Sequence, residues 1–142
     1  MFIGQSSIIR ELLPILDYVK SGRNVSLIFK APSGYGKTRL AIMSANYVDP
    51  FSIFYTTPTE TGDVELNLEK RIILIDEAHL LKTPEILYPI IDAGEHFFIF
   101  MTNESGQLSE PLINRCYQFY FTPYSEEEMV QILAGFKFTP EQ

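Results

Sequence analysis

The chain has 142 residues, 46% of them hydrophobic and 20% charged, which suits one globular domain and is too short for two. One cysteine, Cys116, excludes an internal disulfide and leads us to expect a reducing, cytoplasmic setting. The longest apolar runs, Ile72–Ile75 and Phe97–Met101, are far too short for a membrane span, and no signal peptide is legible at the start. The net charge of −7 falls on residues 83–142, where Arg115 and Lys137 stand against nine acids. No basic stripe of the kind that neutralises nucleic-acid phosphates is visible, so a DNA role would draw its cations from several subunits or from a partner.

Ile8, Ile9, Leu12, Leu13, Leu16 and Val19 recur at helical spacing, with Gly22 as a stop and Pro14 expected to kink or divide the helix. Val25–Phe29 reads as a buried strand, followed by Gly34, Gly36 and a helix from Lys37 to about Tyr47. Phe51–Tyr55 is a second strand, and residues 56–69 are polar loop with at most a short helix. Ile72–Ile75 is a third strand. Thr83 and Pro84 are read as the cap and first turn of a helix carrying Ile86, Leu87, Ile90 and Ile91. His96–Met101 and Tyr117–Phe121 are the fourth and fifth strands, and Ser125 with Glu128 forms a capping box for a last helix. Continuous apolar strands alternating with helices predict an α/β fold: a five-stranded, mainly parallel sheet between helices, buried on both faces.

Residues 31–38 read Ala-Pro-Ser-Gly-Tyr-Gly-Lys-Thr, a phosphate loop of the form G-x-x-x-x-G-K-[ST] with Ala31 in the first glycine position. Glycines let backbone N–H groups turn toward phosphate oxygens, and the next helix presents its positive end to them. Pro32, Ser33, Gly34, Tyr35, Gly36, Lys37, Thr38 and Arg39 are the expected nucleotide-contact segment. Lys37 would reach the β- and γ-phosphates, and the Thr38 hydroxyl would face Mg²⁺. The plain alternative is a glycine-rich turn with a solvated lysine.

Arg71–His79 ends a buried strand in Asp76-Glu77-Ala78-His79. Acids at the carboxyl edge of a parallel sheet lie where open α/β folds bind ligands. Asp76 suits Mg²⁺ and Glu77 suits the activation of water, although such acids also cap helices. His79 is read as a bystander packed behind the site. Thr102-Asn103 ends the fourth strand; Asn103 either holds water and the γ-phosphate or merely forms a turn. Arg115, before the fifth strand, is either a trans-acting arginine finger or one half of a surface ion pair with a nearby acid.

In this order, phosphate loop, D-E-A-H, T-N and N-R-C resemble the AAA+ ATPase core, and within it the RuvB family of Holliday-junction branch-migration motors. Phe2-Ile3-Gly4-Gln5 resembles that family's adenine-side box, Glu85-Ile86-Leu87-Tyr88-Pro89 a stretch after its acidic motif, and Gly106-x-Leu108-Ser109-x-Pro111-Leu112 the segment before its finger. The resemblance implies a P-loop NTPase of AAA+ type using ATP and Mg²⁺. It implies adenine contacts at Ile3, Gly4 and Gln5, with Lys37, Glu77, Asn103 and Arg115 catalytic and Thr38 and Asp76 on the metal. A trans finger implies a homo-oligomeric ring, a hexamer by analogy. One AAA+ core over residues 1–142 is expected, with a first lid helix at about 125–135 and without most of the lid or the winged-helix domain of RuvB. Ile113 replaces a further arginine, residues 92–96 are too short for the partner-binding hairpin of RuvB, and residues 56–70 are shortened where AAA+ motors place a pore loop. Asn114-Arg115-Cys116 also resembles the S-R-C segment of clamp-loader ATPases. Three functions follow: a RuvB-like ATPase acting on DNA, a clamp-loader or helicase-loader switch working through a protein partner, and a nucleotide-gated structural ring without turnover.

Overall fold

The computed structural model describes residues 5–32, 36–103 and 107–120, and side chains from residue 10 onward within those ranges. Helix α1 (Gln5–Lys20) leads into β1 (Ser26–Lys30), α2 (Lys37–Val48), β2 (Ile53–Thr56) and β3 (Ile72–Ile75). Two 3-10 turns (Ala78–Leu80 and Pro84–Leu87) precede α3 (Tyr88–Ala93), β4 (Phe97–Thr102), α4 (Glu110–Asn114) and β5 (Tyr117–Tyr120). The capping box at Ser125 and the helix at 125–135 lie outside the described residues.

The five strands form one sheet in the order β2-β3-β4-β1-β5, and every neighbouring pair is parallel. β3 and β4 are wholly buried because Ile, Leu and Phe point both ways and both faces are covered. Leu27, Phe29, Ile72, Leu74, Phe97, Ile99 and Met101 meet α1 and α2 on one face, through Leu12, Leu16, Leu40 and Ala45. Ile28, Ile73, Ile75, Phe98 and Phe100 meet Leu87 and Leu112 on the other, with Phe98 stacked on Phe100 at 5.4 Å. Burial on both faces does not extend to the edges: β2 is half-buried, and in β5 only Phe119 is buried.

Two further expectations are corrected. α1 is one helix from Gln5 to Lys20 and is not divided at Pro14. That proline is exposed, while Leu12, Leu16 and Val19 are fully buried, so packing on the opposite face carries the turn whose backbone bond proline cannot make. Thr83 and Pro84 do stand at the N-cap and first turn, but of a 3-10 turn that precedes the six-residue α3, and the Thr83 hydroxyl makes no capping bond. Asn24, Val19 and Arg23 receive the Arg71 guanidinium, which ties the end of α1 to the start of β3.

Candidate active site

With β4 between β3 and β1, the carboxyl ends of three strands deliver Asp76-Glu77, Thr102-Asn103 and the segment after Lys30 to one edge of the sheet. The ladders extend past the strand ends. Ala31 N–H donates to the Thr102 carbonyl at 3.2 Å, and Asp76 N–H donates to the Thr56 carbonyl at 2.9 Å. Ala31 is fully buried with its methyl in the core and is not left-handed, so the missing glycine costs no backbone conformation. Gly36, with φ of 85°, begins α2 in the left-handed region that L side chains resist. It thereby aims the first turn of α2, carrying Lys37, Thr38 and the exposed Arg39, at this edge. Pro32 is half-buried behind β1.

Thr38 Oγ1 stands 3.5 Å from Asp76 Oδ2, across 38 residues of sequence. Asp76 Oδ1 accepts the Glu77 N–H at 2.9 Å, and Tyr55 donates its hydroxyl to Asp76 Oδ2. Burial and that bond to a carboxylate hold the Tyr55 phenol well above its ordinary value, so it remains a donor. A hydroxyl and a carboxylate this close are the hard-oxygen donor set of Mg²⁺ sites completed by phosphate and water. Thr38 and Asp76 therefore fit the expected metal, and among the described residues no larger cluster of ligating side chains competes.

Glu77 takes a left-handed conformation, with φ of 51°, unlike any other described non-glycine residue. Its Oε1 lies 3.3 Å from His79 Nε2, and the Asn103 amide lies 3.4 Å from the same nitrogen. His79 Nδ1 is 3.0 Å from Thr102 Oγ1. His79 is thus in contact with both the candidate base and the candidate sensor, and is not merely packed behind them.

Arg115 does not join this cluster. It precedes β5, whose Tyr117 pairs with Leu27 at the start of β1. At about 3.3 Å per residue, it sits more than ~13 Å along the sheet from its own phosphate loop. Its guanidinium grips Asp92 through two bonds of 2.9 and 3.0 Å, donates to the Pro111 carbonyl at 3.0 Å, and lies over the Tyr88 ring at 4.4 Å. It also lines a cavity of about 430 Å³ with Asn24, Asp92, His96 and Cys116 at the amino edge of the sheet, away from Asp76 and Glu77. Ile3, Gly4, Ser33, Gly34 and Tyr35 lie outside the described residues, and Gln5 is described only as the start of α1.

No family model matches the chain. A structure of a Thermotoga maritima RuvB variant superposes with a TM-score of 0.71 at 26% identity, covering 94% of this chain and 50% of that one. Another, described as the Thermotoga maritima RuvB Holliday junction branch migration motor, gives a TM-score of 0.63 at 25% identity over 94% and 51%. The chain has the AAA+ P-loop fold and resembles the RuvB core. It is also 26% identical to replication-associated recombination protein A of Haemophilus influenzae, over 93% of this chain and 33% of that protein. The chain thus spans about a third of the length of such curated relatives and half of the RuvB structures. Among the described residues no helix is long and apolar enough to cross a membrane.

Within this RuvB-like core, sequence reasoning missed Tyr55, Thr102, Asp92 and Tyr88 as partners of site residues. Tyr55 carries one legible signal, its place at the carboxyl end of a strand. Its reach to Asp76 depends on the parallel register of β2 on β3, which is not written in either strand.

Proposed function

We propose that the chain is the ATP-hydrolysing core of a RuvB-like ring ATPase that works on DNA. The observation that carries this reading is the closure of Thr38 on Asp76 beside Glu77 at the mouth of α2. Lys37 and the loop amides hold the phosphates, with the adenine against residues 3–5. Thr38 and Asp76 hold Mg²⁺, which when bound neutralises charge gathering on the phosphate oxygens. Glu77 accepts a proton from water as its oxygen bonds to the γ-phosphorus and the bond to the bridging oxygen breaks. Asn103 holds the γ-phosphate or the water.

The distance of Arg115 from its own phosphate loop supports action on a neighbour's nucleotide, hence a ring. The likeness to a Holliday junction branch migration motor supports a DNA substrate, and a hexamer follows only by analogy with the AAA+ resemblance. The acidic second half of the chain favours cations supplied by assembly or by a partner.

The test is ATP turnover per protomer against protein concentration, with and without four-way-junction DNA. Turnover should climb with concentration, rise with DNA, and fall about 10³-fold in Arg115→Ala. Negligible turnover under every condition would sink the motor reading. A second reading, a switch that fires only with a protein partner, is favoured by the engagement of Arg115 with Asp92 and Tyr88 in its own subunit. In that case turnover appears only when the partner is added.

A further inference from the structure

We propose that His79 is a positioning residue that passes the state of Asn103 to Glu77 by exchanging the proton between its two ring nitrogens. The inference rests on the hydrolytic reading of Glu77 and Asn103. Nε2 faces two groups with opposite demands. The Glu77 carboxylate at 3.3 Å accepts only, while the Asn103 Nδ2 at 3.4 Å donates only. A neutral imidazole nitrogen carries either a proton or a lone pair, so it serves one of them at a time.

Thr102 makes both arrangements complete. With the proton on Nε2, the ring donates to Glu77, and the Thr102 hydroxyl donates to Nδ1 at 3.0 Å. With the proton on Nδ1, the ring donates to Thr102, whose hydroxyl turns to the Asn103 carbonyl at 3.4 Å, and Asn103 donates to Nε2. Each arrangement satisfies every polar atom of the ring, and the two differ only in where one imidazole proton and one hydroxyl hydrogen lie. A γ-phosphate that draws the Asn103 amide to itself removes the donor from Nε2. The ring then places its proton there and fixes the Glu77 carboxylate, whose backbone is already held in the left-handed conformation. The base is therefore set only when a triphosphate is present.

The direct test reads the tautomer in the full chain. Only two histidines occur, so ¹⁵N-histidine labelling resolves His79 from His96, with His79→Gln supplying the assignment. At about pH 8 with Mg²⁺, the expected result is Nδ1–H with ADP and Nε2–H with ATPγS. The same tautomer with both nucleotides, or a doubly protonated ring, overturns the proposal. In turnover, His79→Ala should lower kcat about 10- to 100-fold while ATPγS affinity stays within about twofold. Adding Asn103→Ala should lower kcat by clearly less than the product of the two single losses, because part of the Asn103 effect passes through His79 while its own contact with the γ-phosphate or the water is lost in either background. His79→Gln, which presents an N–H in place of Nε2, should recover most of the loss.

Independent losses in the double variant, or a parallel collapse of nucleotide affinity, would reduce His79 to a packing role. A chain that binds ATPγS yet never turns over refutes the hydrolytic reading by itself, and the tautomer experiment still judges the relay. A chain that fails to bind ATPγS refutes both.

Discussion

Glu77 shows how a single residue can serve the site against its own backbone preference. A left-handed conformation costs an L residue about 1 kcal/mol, and here it aims the carboxylate at His79. Glu77→Gly should therefore melt at the same temperature as the native chain or slightly above it, while losing ATP turnover; a clear drop in Tm would contradict the strain. Cys116 illustrates the opposite, a reactive group made inert. Burial pushes its thiol up to about 12, against a smaller lowering by Arg115. At about pH 8 iodoacetamide should label the folded protein far more slowly than the urea-unfolded one, as followed by mass spectrometry. Equal rates would show an accessible thiolate.

Between elements, the amino edge of the sheet is braced by Arg71, which donates to Val19, Arg23 and Asn24 while its own N–H bonds to Ser52. Charged hydrogen bonds of this kind contribute on the order of 1.5–3 kcal/mol. Arg71→Met, which keeps the aliphatic stem, should lower Tm by roughly 5–10 °C and leave ATPγS affinity unchanged, since no active-site element is touched. An unchanged Tm would show the brace to be redundant. On the opposite side of α1, Tyr47 donates to Asp17 and packs under Lys20, so α1 and α2 settle on the sheet together. The phosphate-loop helix is thereby positioned from behind by a helix that contributes no described side chain to the acid cluster.

At the scale of the whole molecule the candidate site residues are kept apart: Thr38, Asp76, Glu77 and Asn103 lie at the carboxyl edge, and Arg115 at the amino edge. For a trans finger to act, Arg115 must leave Asp92. The hydrogen bonds from Arg115, and then its charge, hold the Asp92 carboxyl below its ordinary value of 3.8. The contribution of this contact is thus present above that value and is lost as pH falls through the lower folded one, so the contact is fully made at neutral pH. Asp92→Asn should raise turnover per protomer several-fold at protein concentrations below saturation and leave the plateau unchanged. A curve identical to the native one would show that releasing Arg115 is not part of assembly.

Much of this was legible in the chain itself. Periodicity and turn chemistry located all five strands to within about two residues, because apolar runs between Gly, Pro and polar breaks have no other way to bury themselves. Motif spacing singled out Lys37, Thr38, Asp76 and Glu77, because a glycine loop opening a helix and acids ending a buried strand are the pattern that suits phosphate and Mg²⁺, while Asn103 and Arg115 stood out only through the AAA+ resemblance. The continuity of α1 through Pro14 was not legible, since it depends on what packs on the far side of the helix. Nor were the contacts of His79, nor which nearby acid engages Arg115. Local preference acts over a few residues and is written in the sequence. The neighbours of His79 come from the ends of β3 and β4 and those of Arg115 from α3 and α4, segments that meet, at opposite edges of the sheet, only when strand order and register bring them together.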